Sequence, residues 1–227
     1  MFFFTKKKPF LADIIPDNYI DIHSHLLPGI DDGAKDLAHT ETLIKSLQEL
    51  GFKKMITTPH IMQYVWENNP EIITAKKETV LENTNAKLNA AAEYMMDEGF
   101  ISLFKNEKLL TLKDNYVLVE MSYLNAPLNL YEVLFELQVA GYKPVLAHPE
   151  RYNFFHQKPQ EYEKLKKAGC VFQLNLLSAI GYYGKPVLQC ADELLAKGLI
   201  DFVGSDVHHE RHIEGFKKEI LLKNHEI

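Results

Sequence analysis

Apolar and polar positions along the chain follow two rhythms. Short apolar runs of strand length recur at residues 19–25, 53–60, 116–120, 144–148, 170–175 and 200–206. Between them the apolar positions fall at helical spacing. Residues 36–51 place Leu43, Ile44, Leu47 and Leu50 on one face, with Asp36 as N-cap and Gly51 as stop. A polar helix is predicted over 70–88. Further helices are predicted over 130–140, closed by Gly141, over 161–168, closed by Gly169, and over 186–197, opened by Pro186 and followed by Gly198. The segment 91–97 fits neither rhythm.

Strand and helix therefore alternate, which demands parallel strands joined by right-handed crossovers. About seven βα units fit, so an α/β fold with a closed or nearly closed barrel is expected. An open doubly wound sheet is the alternative. Length supports one core, and no low-complexity linker divides the 227 residues. Residues 1–18 read as an N-terminal tail and 19–227 as a single domain.

Composition narrows the classes. A net charge of −6 argues against a general nucleic-acid binder, which would carry a basic face. Cys170 and Cys190 give no disulfide framework and fit a reducing, cytoplasmic compartment. The opening Met1-Phe2-Phe3-Phe4-Thr5-Lys6-Lys7-Lys8 has its lysines after a short apolar run, the reverse of a signal peptide, and reads as a frayed end. No run approaches the ~18 apolar residues of a transmembrane segment.

Candidate chemistry gathers at the strand ends. His23 and His25, two apart in a strand, present two imidazoles to one face. A loop rich in glycine and aspartate, residues 28–33, follows at once. His60, Glu120, His148 and Asp206 each close a later strand, and His208 stands just beyond the last. A barrel brings these ends to one mouth. Neutral imidazole and carboxylate suit Mn, Fe and Zn, and the ligands outnumber what one tetrahedral ion takes. Two or three divalent ions are expected, with Glu120 able to bridge. The chain's arginines, Arg151 and Arg211, each follow a candidate ligand by three residues and are read as phosphate clamps. Tyr64, Trp66, Tyr152, Phe154, Phe155, Tyr182 and Tyr183 are candidates for an aromatic rim. His39, His156, His212 and His225 read as surface residues. No Cys-x5-Arg signature is present, since Leu176 and Ala196 stand where its arginine would be.

Asp21-Ile22-His23-Ser24-His25, the Leu-Pro-Gly-Ile-Asp-Asp-Gly-Ala that follows, Thr58-Pro59-His60, Val119-Glu120-Met121-Ser122, Ala147-His148-Pro149-Glu150-Arg151 and Gly204-Ser205-Asp206-Val207-His208 together resemble the PHP (polymerase and histidinol phosphatase) superfamily. Its capsule-associated bacterial tyrosine phosphatases are the most similar branch. The resemblance implies a distorted (β/α)7 TIM-like barrel and a trinuclear site, usually supported by manganese. It implies His23, His25, Asp32, His60, Glu93, Glu120, His148, Asp206 and His208 as metal ligands. Asp32 comes from the loop motif and Glu93 from the family's Ala-Glu-Tyr pattern. The implied substrate is a phosphotyrosine protein, a bacterial tyrosine kinase of capsule or exopolysaccharide export.

Two departures are expected. The helix over 70–88 runs straight into Ala91-Ala92-Glu93, so the strand that the family carries before Glu93 is expected to be missing or replaced. The chain also stops soon after Gly215, which points to a shortened C-terminus or to part of a longer chain. The expected reaction is metal-dependent hydrolysis of a phosphate monoester, with Arg151 and Arg211 on the phosphoryl oxygens and His208 or His209 as proton donor. The alternatives are a small-molecule phosphatase of the histidinol-phosphate type and a non-catalytic metal-binding barrel.

Overall fold

Alternation along each strand sorts its residues between a barrel interior and the helices outside it. The computed structural model describes residues 8–223. Its strands are β1 (Tyr19–Asp21), β2 (Phe52–Thr57), β3 (His60–Ile61), β4 (Leu88–Ala90), β5 (Glu93–Met95), β6 (Tyr116–Glu120), β7 (Lys143–Ala147), β8 (Val171–Asn175) and β9 (Phe202–Gly204). All neighbouring pairs are parallel, in the orders β1-β2-β4 and β3-β5-β6-β7-β8-β9.

The two sets are one barrel. β2 and β3 are a single pass interrupted at Thr58-Pro59, where proline offers no N–H to the ladder. β4 and β5 are a second pass, interrupted at Ala91-Ala92. Ala91 N–H donates to Thr57 O at 2.9 Å and Glu93 N–H to Pro59 O at 3.1 Å, carrying the pairing across both breaks. The ring closes beyond β9 and β1. Asp206 N–H donates to His23 O at 2.7 Å, and His25 N–H donates to Val207 O at 2.9 Å. Seven parallel passes result, which is the distorted (β/α)7 barrel expected.

Helices α1 (Leu37–Glu49), α2 (Pro70–Asn83), α3 (Phe100–Asn106), α4 (Leu130–Val139), α5 (Gln160–Lys167), α6 (Lys185–Ala196) and α7 (Glu210–Gly215) surround it. Asp36 caps α1 through His39 N–H. Outward strand residues such as Val117, Val119, Leu146, Phe172 and Leu174 pack with helix residues such as Leu43, Leu47, Val133 and Leu137 in the main core. Each such side chain contributes about 1.5–3 kcal/mol on full burial. Inside the barrel the apolar set is small, with Ala91, Leu118, Val145 and Ala147 at its heart. The rest of the interior, toward the strands' C-terminal ends, is given to polar side chains.

Several expectations are corrected. The helix over 70–88 ends at Asn83, and the strand before Glu93 is present as β4. Asn83 Nδ2 bonds back to Thr79 O and Thr84 Oγ1 to Val80 O, each at 2.8 Å, which ends the helix. The strands read over 19–25 and 200–206 are regular over three residues each, and beyond them the two segments stay joined by the bridge between Ser24 and Val207. The segment read as a tail is packed from residue 9 onward. Leu11 is fully buried, its N–H donates to Lys218 O at 2.9 Å, and Ile220 N–H donates to Pro9 O at 3.0 Å. The Phe-Lys start before Lys8, and His225, lie outside the described residues. Among the described residues no helix is long and apolar enough to cross a membrane.

Candidate metal centre and its cavity

The strands' C-terminal ends place the polar groups. His23 and His25 follow β1 in an extended stretch, and Asp32 lies in the loop after it. His60 opens β3, Glu93 opens β5 and Glu120 closes β6. His148 follows β7, while Asp206 and His208 follow β9. Register explains why Glu120 points inward. It shares a face of β6 with Leu118, while Val117 and Val119 face the helices.

The histidine tautomers follow from their outer partners. Gln173 Nε2 donates to Leu174 O at 2.7 Å, so its Oε1 faces His23 and accepts from Nδ1–H at 2.7 Å. Asp31 Oδ2 accepts from His25 Nδ1–H at 2.8 Å. In the neutral imidazoles both Nε2 atoms are then the free lone pairs, and they face each other at 3.4 Å. Burial works against charge on both rings, but the carboxylates Asp31, Glu93 and Asp206 outweigh it and raise both imidazoles above their usual range, so a proton and a cation compete for this spot. Around them stand Glu93 Oε2, at 3.2 Å from His23 Nε2, and Asp206 Oδ1, at 3.3 Å. His148 Nε2 lies 3.2 Å from Glu93 Oε1. His60 Nδ1 approaches Glu120 Oε1 to 2.9 Å without hydrogen-bond geometry, and both atoms are buried. His60 Nε2 and His208 Nε2 each stand 3.4 Å from Asp32 Oδ1.

Four overlapping groups of these atoms, each within 4.8 Å, can hold a metal ion. They are His25, Asp32, His60 and His208; His23, Glu93 and His148; His23, His25 and Asp206; and His60, Glu93 and Glu120. Imidazole nitrogens and carboxylate oxygens that converge in this way fit cations. Electrostatics agree. Burial works against charge on His60, and so does His25, but Asp32, Glu120 and Glu93 outweigh both and push the imidazole up to about 10. A field that holds a proton so firmly also attracts a metal ion. Burial opposes charge on Glu93 and Asp206 too, yet the surrounding imidazoles, His23 foremost, hold both carboxyls well below the usual range.

All the side chains expected as ligands thus meet at one place, Glu93 included. Arg151 stands beside them. Its Nη1 donates to Asp206 Oδ2 at 2.8 Å, and its guanidinium lies 4.7 Å from the Tyr123 ring centre and 4.1 Å from that of Tyr183. A cavity of about 550 Å³ opens over the cluster, lined among others by Glu93, Glu120, Arg151, Asp206, His208 and Trp66.

Arg211 is not brought to this cavity. It is exposed on α7, so the paired-arginine clamp reduces to Arg151. His209 does not line the cavity either. Of the aromatic candidates Trp66 lines it and Tyr183 covers Arg151, whereas Tyr152 and Phe155 are buried and Tyr64 is largely exposed. His212 is buried against Asp206 O rather than on the surface. Cys170 and Cys190 are buried, and burial pushes each thiol up to about 12, a poor setting for a nucleophile.

Asp31, Gln173, Asn175 and Tyr123 were not anticipated. Asn175 Nδ2 donates to Asp206 Oδ2 at 2.8 Å, opposite Arg151. The signal for Gln173 and Asn175 lies in β8, where polar residues alternate with Phe172 and Leu174 and so must face the barrel interior.

Comparison with known proteins agrees. Residues 19–215 match the family described as capsular polysaccharide synthesis, CpsB/CapC. The chain is 30% identical over 196 residues to the tyrosine-protein phosphatase YwqE of Bacillus subtilis, covering 84% of this chain and 77% of that one. It is 26% identical over 203 residues to the tyrosine-protein phosphatase CpsB of Streptococcus pneumoniae, covering 84% and 83%. A crystal structure from work on YwqE and that CpsB, described as unique metal-dependent tyrosine phosphatases, superposes with a TM-score of 0.78 at 29% identity, covering 87% of this chain and 84% of that one. A D-hydantoinase from Thermus sp. shares the fold alone, with a TM-score of 0.51 at 13% identity, covering 91% and 62%. With the match spanning nearly the whole barrel, this chain belongs to the CpsB/CapC family.

Proposed function

We propose that this chain is a metal-dependent phosphomonoester hydrolase that removes phosphate from tyrosine in proteins. The substrate proposed is a bacterial tyrosine kinase of polysaccharide export, in the cytoplasm. The observation that carries the reading is the pair of buried Nε2 atoms of His23 and His25, 3.4 Å apart and ringed by Glu93 and Asp206, beneath a cavity walled by Arg151.

His23, His25, Asp32, His60, Glu93, Glu120, His148, Asp206 and His208 would hold two or three divalent ions, with manganese preferred over iron or zinc. Bound there, the ions supply Lewis-acid activation of water and neutralise phosphoryl charge. Arg151 spends one N–H group on Asp206 and keeps others for phosphoryl oxygens. Tyr123 and Tyr183 hold the guanidinium plane in place. His208, fixed through Nδ1 by the Asp206 carbonyl at 2.9 Å, presents Nε2 to an ion and so has no proton to give the leaving oxygen. Tyrosinate, with a free pKa of ~10, needs less help than an alkoxide. Trp66 at the cavity wall stacks on the substrate ring.

The test is hydrolysis of a tyrosine phosphopeptide with chelator, and then with manganese restored. Chelator is expected to abolish turnover and manganese to return it. Hydrolysis that ignores the chelator would sink the metal mechanism. Faster turnover of histidinol phosphate than of the peptide would favour the small-molecule reading. No hydrolysis of either, with ions bound, would leave a non-catalytic barrel.

A further inference from the structure

The cavity over the metal centre does not end at Trp66. A second cavity of about 470 Å³ adjoins it, and the two share Met62, Gln63, Trp66, Met95 and Asp97 as lining. Each alone is of a size that holds a small ligand. The far wall of the second is α3, through Leu103 and its C-terminal neighbour Glu107.

The junction between the cavities is built, not loose. Met62 and Trp66 exchange both backbone hydrogen bonds at 2.9 Å, closing a tight hairpin around Tyr64. Asp97 ties that hairpin to the start of α3. Its Oδ2 accepts from Gln63 N–H at 2.9 Å and its Oδ1 from Gly99 N–H at 3.0 Å. Trp66 is thereby fixed at the boundary, with one cavity on each side.

A phosphotyrosine side chain engages the first cavity, but the peptide that carries it must leave along some surface. The second cavity shares a wall with the first and offers apolar contact from Met62, Met95 and Leu103. Its charged lining is Glu67, Asp97 and Glu107, and no lysine or arginine among the described residues lines it. Charge complementarity sets the occupant. We infer that this second cavity is a specificity subsite, which takes the residues flanking the phosphotyrosine and selects substrates with lysine or arginine there. The inference rests on the phosphotyrosine reading above.

The test uses the full chain loaded with manganese and two sets of phosphotyrosine peptides. One set carries lysine at positions one to four on either side of the phosphotyrosine, the other glutamate at the same positions. The best lysine peptide is expected to show about fivefold higher kcat/KM than its glutamate counterpart, through KM, and the gap is expected to close at high salt. Glu67 and Glu107 lie outside the first cavity and are exposed. The double variant Glu67→Lys, Glu107→Lys is expected to reverse the preference and leave p-nitrophenyl phosphate turnover unchanged. Equal kcat/KM for both peptide sets, or a preference that the double variant does not move, overturns the subsite while the phosphatase reading stands. Absence of hydrolysis of p-nitrophenyl phosphate and of every peptide removes the phosphatase reading, and the subsite with it.

Discussion

Gln173 does more for His23 than fill space. Its Oε1 accepts from Nδ1–H at 2.7 Å and so turns Nε2 toward Glu93 and Asp206. Gln173→Leu keeps the volume and removes the acceptor, so His23 loses its enforced tautomer and orientation. Metal affinity is expected to fall about 10–100-fold, the usual effect of losing such an outer partner, with the fold retained. Competition with a chelating dye measures it, and unchanged affinity would refute the orientation argument. Strain marks the same site. His148 and Asp206 hold φ at +36° and +51°, in the left-handed region that non-glycine residues seldom adopt. Both are pinned by short backbone bonds, His148 N–H to Gln173 O and Asp206 N–H to His23 O, each at 2.7 Å.

Element packing explains what the sequence revealed and what it hid. β6 and β7 were legible because each is an apolar run ending at a candidate ligand, a signal carried within a few residues. The end of α2 was hidden because Leu88 continues its apolar spacing, while the side chains of Asn83 and Thr84 stop the helix by bonding backward. Arg211 was misplaced for a related reason, since spacing from His208 does not say which way a residue on α7 points. Asp31 was hidden by its neighbour Asp32, because two adjacent aspartates divide the work between orienting His25 and facing His60. Where elements touch most closely, glycine is required. A Cβ on Gly204 would lie 2.7 Å from His23 Cβ and 2.9 Å from Gln173 Nε2, and one on Gly33 would lie 2.1 Å from His25 O. Gly204→Ala is therefore expected to destabilise the barrel by about 1–3 kcal/mol, as overpacking does, and to weaken metal binding by pushing His23 off its position. Thermal unfolding and metal titration report the two effects, and a variant that loses neither would show that β9 and β1 are not in such close contact.

Across the whole molecule, the seven strand passes bring carboxylates and imidazoles from residues 23 to 208 to one mouth, an arrangement the unfolded chain lacks. Ions that bind this assembly and not the unfolded chain must stabilise the fold, by about 2.7 kcal/mol at a free concentration one hundred times Kd. For a chain of this length, that corresponds to a rise in Tm of about 5–11 °C when manganese is added to chelated protein. Leu11→Ala supplies the matched control. Leu11 is fully buried where the segment after Pro9 packs against residues 216–220, and it contributes no ligand. Its truncation is expected to cost about 2–5 kcal/mol and to lower Tm with and without the metal. Distant, independent sites add, so the gain in Tm from manganese should be the same in Leu11→Ala as in the parent chain. The Gln173→Leu variant should instead lose part of that gain, in addition to the lower Tm in chelator that its unpaired buried His23 N–H brings. Scanning calorimetry of the three proteins with and without manganese separates the outcomes. A parent Tm that does not respond to the ion would mean that these side chains, though gathered at the barrel mouth, do not form a metal centre.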